Sequence, residues 1–120
     1  MRSLLSAVFL VLAVGAANPQ QEQGAMTGVG MTSCAEFAQK YRDDPNFAHT
    51  LYFVWAQGFM SGLNLMQLAL KGPMHDLNGW PFSQQQLHIR TFCDQRPLST
   101  VAQAVRSVFN ALPEIQPKSR

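Results

Sequence analysis

Few residues of this chain have the type and spacing to do covalent or metal chemistry. They are two cysteines, Cys34 and Cys93, three histidines, His49, His75 and His88, and seven carboxylates. A catalytic nucleophile needs a base within hydrogen-bond reach and a third group that orients the base. A metal needs ligands at spacings such as C-x-x-C or H-x-x-x-H, and neither occurs here. His75-Asp76 is an adjacent imidazole–carboxylate pair that would suit acid–base work beside a nucleophile. Adjacent side chains often point apart, however, and no G-x-S-x-G elbow is present. Asp43-Asp44 precede Pro45 and read as a helix-terminating turn, not as a paired acid and base. His88 reads as a solvent-facing helix residue. The expectation is a protein that is not an enzyme, with no catalytic residue, metal or cofactor.

The cysteines take their meaning from the start of the chain. Arg2 supplies a positive n-region, Leu4 to Val14 an apolar run, and Gly15, Ala16 and Ala17 the small residues that signal peptidase requires. Residues 1–17 are therefore expected to be a cleaved signal peptide, and the mature protein to lie in the periplasm. Cys34 stands too far beyond the apolar run to carry a lipid. In an oxidising compartment, a cysteine pair in a small domain is usually a structural disulfide. The chain-entropy model values closure of such a long loop at about 4 kcal/mol. Small domains have only about 5–15 kcal/mol of net stability, so the bond would be decisive.

Composition narrows the partners. The net charge is +2, and only 13% of residues are charged. Basic residues are not clustered, which argues against nucleic acid. The polar load falls on Gln, Asn, Ser and Thr instead. The length fits one domain.

The elements that must position these residues read as helices. Residues 18–31, rich in Gln and Gly, form an aperiodic, disordered lead-in. A first helix starts at Ser33, where Ser33 and Glu36 stand at capping-box spacing, and runs to about Arg42. A second runs from about Phe47 to Leu70 and ends at Lys71-Gly72-Pro73. A third begins at Ser83 with a second capping box to Gln86 and a hydrophobic staple from Phe82 to Leu87. It ends at Arg96-Pro97. A fourth has Ser99 as N-cap and Leu98, Val101, Ala102, Val105, Val108, Phe109 and Leu112 on one face. Residues 32–113 form the helical domain, and 114–120 a frayed tail. The fold class is all-α: a small four-helix single domain stapled by one disulfide.

The second helix carries no charge from Leu51 to Leu70, which raises a transmembrane reading. At 100° per residue, Trp55, Phe59, Leu63, Met66 and Leu70 gather on one side, flanked by Gly58 and Gly62. Gln57, Ser61, Asn64 and Gln67 gather on the other. Lipid would leave that amide and hydroxyl stripe without partners, so a core helix is expected and no stable membrane span. Gly58-x-x-x-Gly62 would let another helix, such as the fourth, approach closely; it also leaves a homodimer open. The loop Gly72 to Phe82 places Met74, Leu77, Trp80 and Phe82 where polar residues are usual. Two readings stand: these side chains fold back over the core, or they form an apolar patch for a partner. Trp55, Phe59, Met74, Leu77, Trp80 and Phe82 are the candidate partner- or client-binding residues.

Three segments carry a family resemblance. Ser33-Cys34-Ala35-Glu36-Phe37 resembles the (S/T)-C-x-(D/E)-F opening of the HdeA/HdeB family of periplasmic proteins. Trp55 to Gly62 is similar to an aromatic-x-x-G-(Y/F)-x-x-G segment of its wider, mostly uncharacterised branch. Phe92-Cys93 with Pro97-Leu98 and Ala102 resembles that branch's second cysteine and closing helix. The resemblance implies an all-helical periplasmic domain with one disulfide, Cys34 to Cys93, and acid-activated holdase chaperoning of unfolding periplasmic proteins. Unlike the acid chaperones, this chain is poor in Lys and Asp. Full protonation would still raise the mature chain to about +11, a self-repulsion that loosens compact states. The chain is also similar in outline to the Rap1a/Tai immunity proteins. That likeness implies an alternative: an inhibitor that binds and blocks a secreted cell-wall hydrolase.

Overall fold

A computed structural model describes residues 24–116. The expected signal peptide (1–17), the first part of the lead-in (18–23) and the end of the tail (117–120) lie outside the described residues. A 3-10 turn, Val29–Met31, precedes four helices: α1 (Cys34–Asp43), α2 (Pro45–Ala69), α3 (Phe82–Gln95) and α4 (Val101–Ala111). The described residues contain no strand; isolated bridges pair Ser33 with Thr100 and His75 with Glu114.

Local chemistry explains most boundaries. Ser33 Oγ accepts the Glu36 N–H at 3.1 Å and starts α1. The reciprocal half of the expected box is replaced by an exposed Glu36–Lys40 ion pair at 3.7 Å. Asp44 ends one helix and starts the next. Its N–H donates to the Lys40 carbonyl, its carboxylate accepts the Phe47 N–H at 3.0 Å, and Pro45 takes the first position of α2. α2 stops where Lys71 adopts a left-handed φ of 56° and the Gly72 N–H donates to the Gln67 carbonyl at 2.8 Å.

Two predicted caps are displaced. α3 begins at Phe82 behind Pro81, with no side-chain cap; Ser83 lies inside its first turn. The Pro81 carbonyl accepts from both Gln84 and Gln85 N–H, so the helix starts from Pro81, ahead of Ser83, on the backbone alone. Nor is there a staple: Leu87 is 61% exposed, and Phe82 packs edge-on against Phe53 at 5.3 Å. In α4 the cap is Thr100, which forms a complete capping box with Gln103. Ser99 is occupied elsewhere, because its carbonyl accepts the Cys34 N–H at 2.7 Å and that of Pro97 accepts the Ala35 N–H at 3.0 Å. The orphan amides of α1 are thus met by the chain just before α4. That turn throws Leu98 into solvent at 97% exposure, off the apolar face where periodicity put it.

α4 is the buried centre, with Val101, Val105 and Val108 fully enclosed. Cys34 and Cys93 form the disulfide between α1 and α3, both buried, with Cα atoms 4.7 Å apart. α2 lays Ala48, Tyr52, Ala56 and Met60 against this core, one residue per turn. That line is rotated from the expected one. Met66 and Leu70 are 47% and 71% exposed, and Gly58 and Gly62 face outward with nothing within 4 Å of an added Cβ. The expected close approach of α4 at Gly58-x-x-x-Gly62 does not occur.

Residues 24–31 and 114–116 are more ordered than composition suggested. In residues 24–31, Gly30 is buried and packs under the Trp55 ring, where an added Cβ would collide with the indole. At the other end Ile115 N–H donates to the Met74 carbonyl at 2.8 Å, so Glu114 and Ile115 are paired and not frayed.

Candidate functional site

The segment 72–82 is a strap pinned across the domain by polar groups on three elements. Asn64 of α2 holds His75 in both directions: its Nδ2 donates to the His75 carbonyl and its Oδ1 accepts the His75 N–H, each at 2.8 Å. Gln85 of α3 is fully buried, and its Nε2 donates to the carbonyls of Leu77 (2.8 Å) and Trp80 (2.9 Å). Its Oε1 accepts from Gln57 Nε2 of α2 at 3.2 Å. The chain after α4 completes the set, with Asp76 N–H donating to the Pro113 carbonyl at 2.8 Å. Gly79 turns so close to Pro113 that an added Cβ would stand 2.6 Å from the proline Cδ. The stripe of amides on α2 therefore has a purpose that sequence did not assign: Gln57 and Asn64 are the anchors of this strap.

The six candidate residues fall into two separate groups. Leu77 and Trp80 are half-buried against the core, Met74 is half-buried, and Phe82 is 53% exposed. Trp55 and Phe59 stack on each other at 4.9 Å and 14°, on the side of α2 that faces the 3-10 turn. Beside them a groove of about 520 Å³ is lined by Phe59, Met26, Met31, Ala102, Gln103 and Arg106. The two groups do not form one patch. Most of the loop's apolar side chains cover the core, and Phe82 alone of the strap set is mainly exposed.

The histidines tie elements together. His75 Nδ1 is 2.8 Å from the Leu112 carbonyl, and its ring lies 4.5 Å from that of Phe109. Asp76 turns away and accepts the Asn78 N–H at 2.9 Å, so the adjacent pair forms no dyad. His49 Nε2 meets Tyr41 Oη at 2.7 Å, with the Arg90 guanidinium over the tyrosine ring. His88 is not on a solvent face as expected. It is half-buried, with Nε2 2.8 Å from Ser107 Oγ, linking α3 to α4. No carboxylate in the described hydrogen-bond network orients its other nitrogen. Tyr52 Oη is buried without a hydrogen-bond partner among the described residues, beside a cavity of about 20 Å³.

The most exposed apolar surface lies elsewhere, along the outer face of α2. Phe47, Leu51, Val54, Leu65 and Leu68 are 59%, 36%, 67%, 67% and 58% exposed, with Gly58 and Ser61 exposed between them. No other described element covers this face. Sequence reasoning missed it because Trp55 and Phe59 drew the core to their own side of the helix. A signal was available: Phe47, Leu51, Val54, Leu65 and Leu68 share a second side of the helix, so α2 is apolar on two sides. No described helix is long and apolar enough to cross a membrane. The surface can bind apolar groups; it has no charged group with which to select a charged ligand. No protein-family model, no curated protein and no solved structure matches the chain.

Proposed function

We propose that this is an exported, non-enzymatic protein that binds apolar segments of other proteins, acting as a holdase for unfolding clients in the periplasm. One observation carries the reading: an uncharged helix face bearing five exposed large apolar side chains, Phe47, Leu51, Val54, Leu65 and Leu68. Contiguous apolar surface of this kind is uncommon on small domains and marks interaction sites. The HdeA/HdeB-like segments around Cys34, Gly58 and Cys93 support the same reading, and so does the oxidising compartment implied by the leader. Acid is the proposed trigger for a larger surface. Protonating seven carboxylates and three histidines adds repulsion throughout the domain. Loosening would then add the half-buried Trp55, Phe59, Leu77 and Trp80 to the face already exposed, while the disulfide limits expansion.

The test is light scattering of an aggregating client with the oxidised mature protein, at neutral pH and near pH 2–3. Suppression is expected at both, stronger in acid, and reduced severalfold in a Val54→Lys/Leu65→Lys variant, whose charges persist at both pH values. No suppression at either pH would overturn the proposal.

A second reading draws on the rigidity of the strap. Asn64, Gln85 and the Pro113 carbonyl hold it with Phe82 projecting, and a preorganised edge loses little entropy on docking to one folded partner. That favours the immunity or inhibitor alternative, with a secreted cell-wall hydrolase as partner. A stoichiometric complex at neutral pH, lost in Phe82→Ala, would establish it; clients bound regardless of identity would exclude it.

A further inference from the structure

We infer that the groove between the 3-10 turn, α2 and α4 binds a free fatty acid of medium length, its hydrocarbon along Phe59 and its carboxylate at Arg106. The site is separate from the outer face of α2, and the inference does not depend on the client-binding reading.

Size and walls come first. The groove has a volume of about 520 Å³, inside the range of about 300–1,000 Å³ usual for small-ligand sites. Its apolar lining comes from Met26 and Met31 of the segment before α1, Phe59 of α2 and Ala102 of α4. Phe59 is a fixed wall: its ring stacks on Trp55 at 4.9 Å, and Trp55 in turn packs over Gly30. The two methionines are unbranched and polarizable, so they mould to a flexible hydrocarbon.

The polar lining selects the head group. Thr100, Gln103 and Arg106 complete the groove. The first two have their acceptor atoms engaged in the capping box of α4: Gln103 Oε1 accepts the Thr100 N–H at 2.9 Å, and Thr100 Oγ1 accepts the Gln103 N–H at 3.3 Å. What remains is donors, above all the Gln103 amide NH2 and the Arg106 guanidinium, at i and i+3 on one helix surface. The ion pair found among the described residues is Glu36–Lys40, so no described carboxylate neutralises Arg106. Donors around a cation call for an acceptor-only anion, and a carboxylate takes the guanidinium fork with both oxygens.

The same lining argues against a peptide. Every peptide residue brings a backbone N–H that needs an acceptor once it leaves water, and the side chains of the groove hold no oxygen outside the cap. A hydrocarbon tail makes no such demand. A neutral alcohol of the same length would leave Arg106 without a counter-charge. The tail supplies most of the affinity. A fully buried methylene strengthens binding about fourfold, so a step of about two- to fourfold per methylene is expected in an open groove. For decanoate the dissociation constant is then on the order of 0.1 mM.

Isothermal titration calorimetry of the oxidised mature protein with decanoate, at neutral pH and below micelle formation, tests this. Saturable single-site binding is expected, weakening about two- to fourfold per methylene from decanoate through nonanoate to octanoate. Decanol should bind severalfold more weakly than decanoate. Arg106→Gln, at an exposed position, should weaken decanoate by about fivefold or more and leave decanol unchanged. Val54→Lys/Leu65→Lys on the outer face of α2 should leave decanoate binding unchanged. Location is read by fluorescence: Trp80→Phe leaves Trp55 as the sole tryptophan, and its emission should shift as the groove fills. Absence of saturable binding, decanol bound as tightly as decanoate, indifference to Arg106→Gln, loss in the outer-face variant or an unmoved Trp55 emission overturns the inference. So does an apolar peptide with a blocked C-terminus that displaces decanoate, which would assign the groove to protein segments. The two proposals fail separately. A protein that protects clients without binding decanoate leaves the holdase reading standing, and one that binds decanoate but protects no client leaves the groove standing.

Discussion

The Asn64 side chain and the His75 backbone meet as a two-way amide pair, donor to acceptor and acceptor to donor, both at 2.8 Å. It joins the long helix to the strap at the strap's first turn. Asn64→Asp keeps the acceptor and turns the donor into a carboxylate facing the His75 carbonyl. A loss of about 1–3 kcal/mol in unfolding free energy is expected. Urea titration by far-UV and near-UV CD measures it, and an unchanged midpoint would mean that the strap is held by Gln85 and Pro113 alone.

Reducing Cys34–Cys93, which closes a loop of 59 positions, should lower stability by about 4 kcal/mol. The comparison is a denaturant midpoint with and without reductant, and with Cys34→Ser/Cys93→Ser. Because α1's first amides also bond to the carbonyls of Ser99 and Pro97, some α1 docking should survive reduction. Complete loss of helical signal in water would show that those bonds do not act alone.

Two glycines should respond in opposite directions to the same substitution. Gly30→Ala drives a methyl into the Trp55 indole and should cost more than about 2 kcal/mol, with a shifted tryptophan fluorescence maximum. Gly62→Ala enters open space on a helix and should stabilise the dilute chain by up to about 1 kcal/mol. Equal effects at the two sites would contradict the packing described for Trp55.

Tyr52 is 3% exposed and its hydroxyl has no partner among the described residues. Tyr52→Phe removes a desolvated polar group without changing the ring that packs edge-on to Phe37 at 4.9 Å. Thermal unfolding should be unchanged or raised, by up to about 1 kcal/mol in stability. A clear loss would show that the hydroxyl is satisfied.

Helices were legible in the sequence where the signal is local. Ser33 at α1, the Asp44-Pro45 break and the Lys71-Gly72 stop act through the backbone within one turn, so the residues themselves announce them. The displaced caps at Ser83 and Ser99 share one reason. Each chosen hydroxyl was locally competent, but tertiary demands set the helix start: Gln85 turned inward to the strap, and the Ser99 carbonyl was taken by Cys34. The candidate site was less legible. α2 is apolar on more than one side, so helical periodicity left its rotation open: Trp55, Phe59 and Leu63 do pack against the core, but the buried line runs through Ala48, Tyr52, Ala56 and Met60.

By itself the sequence determined an all-helical chain, its break points and a cysteine pair available to join distant segments. These follow from capping chemistry, proline, and apolar spacing read over a few residues. Only the tertiary structure decided which face of α2 is buried, that Gln57, Asn64 and Gln85 hold the strap, and that Phe47, Leu51, Val54, Leu65 and Leu68 are left outside. Those outcomes depend on which elements compete for the same surface. Burying Ala48, Tyr52, Ala56 and Met60 lets α2 lie close to α4 and gives its amides partners, the His75 backbone for Asn64 and the Gln85 side chain for Gln57. Burying the outer face would turn those amides away from Gln85 and His75.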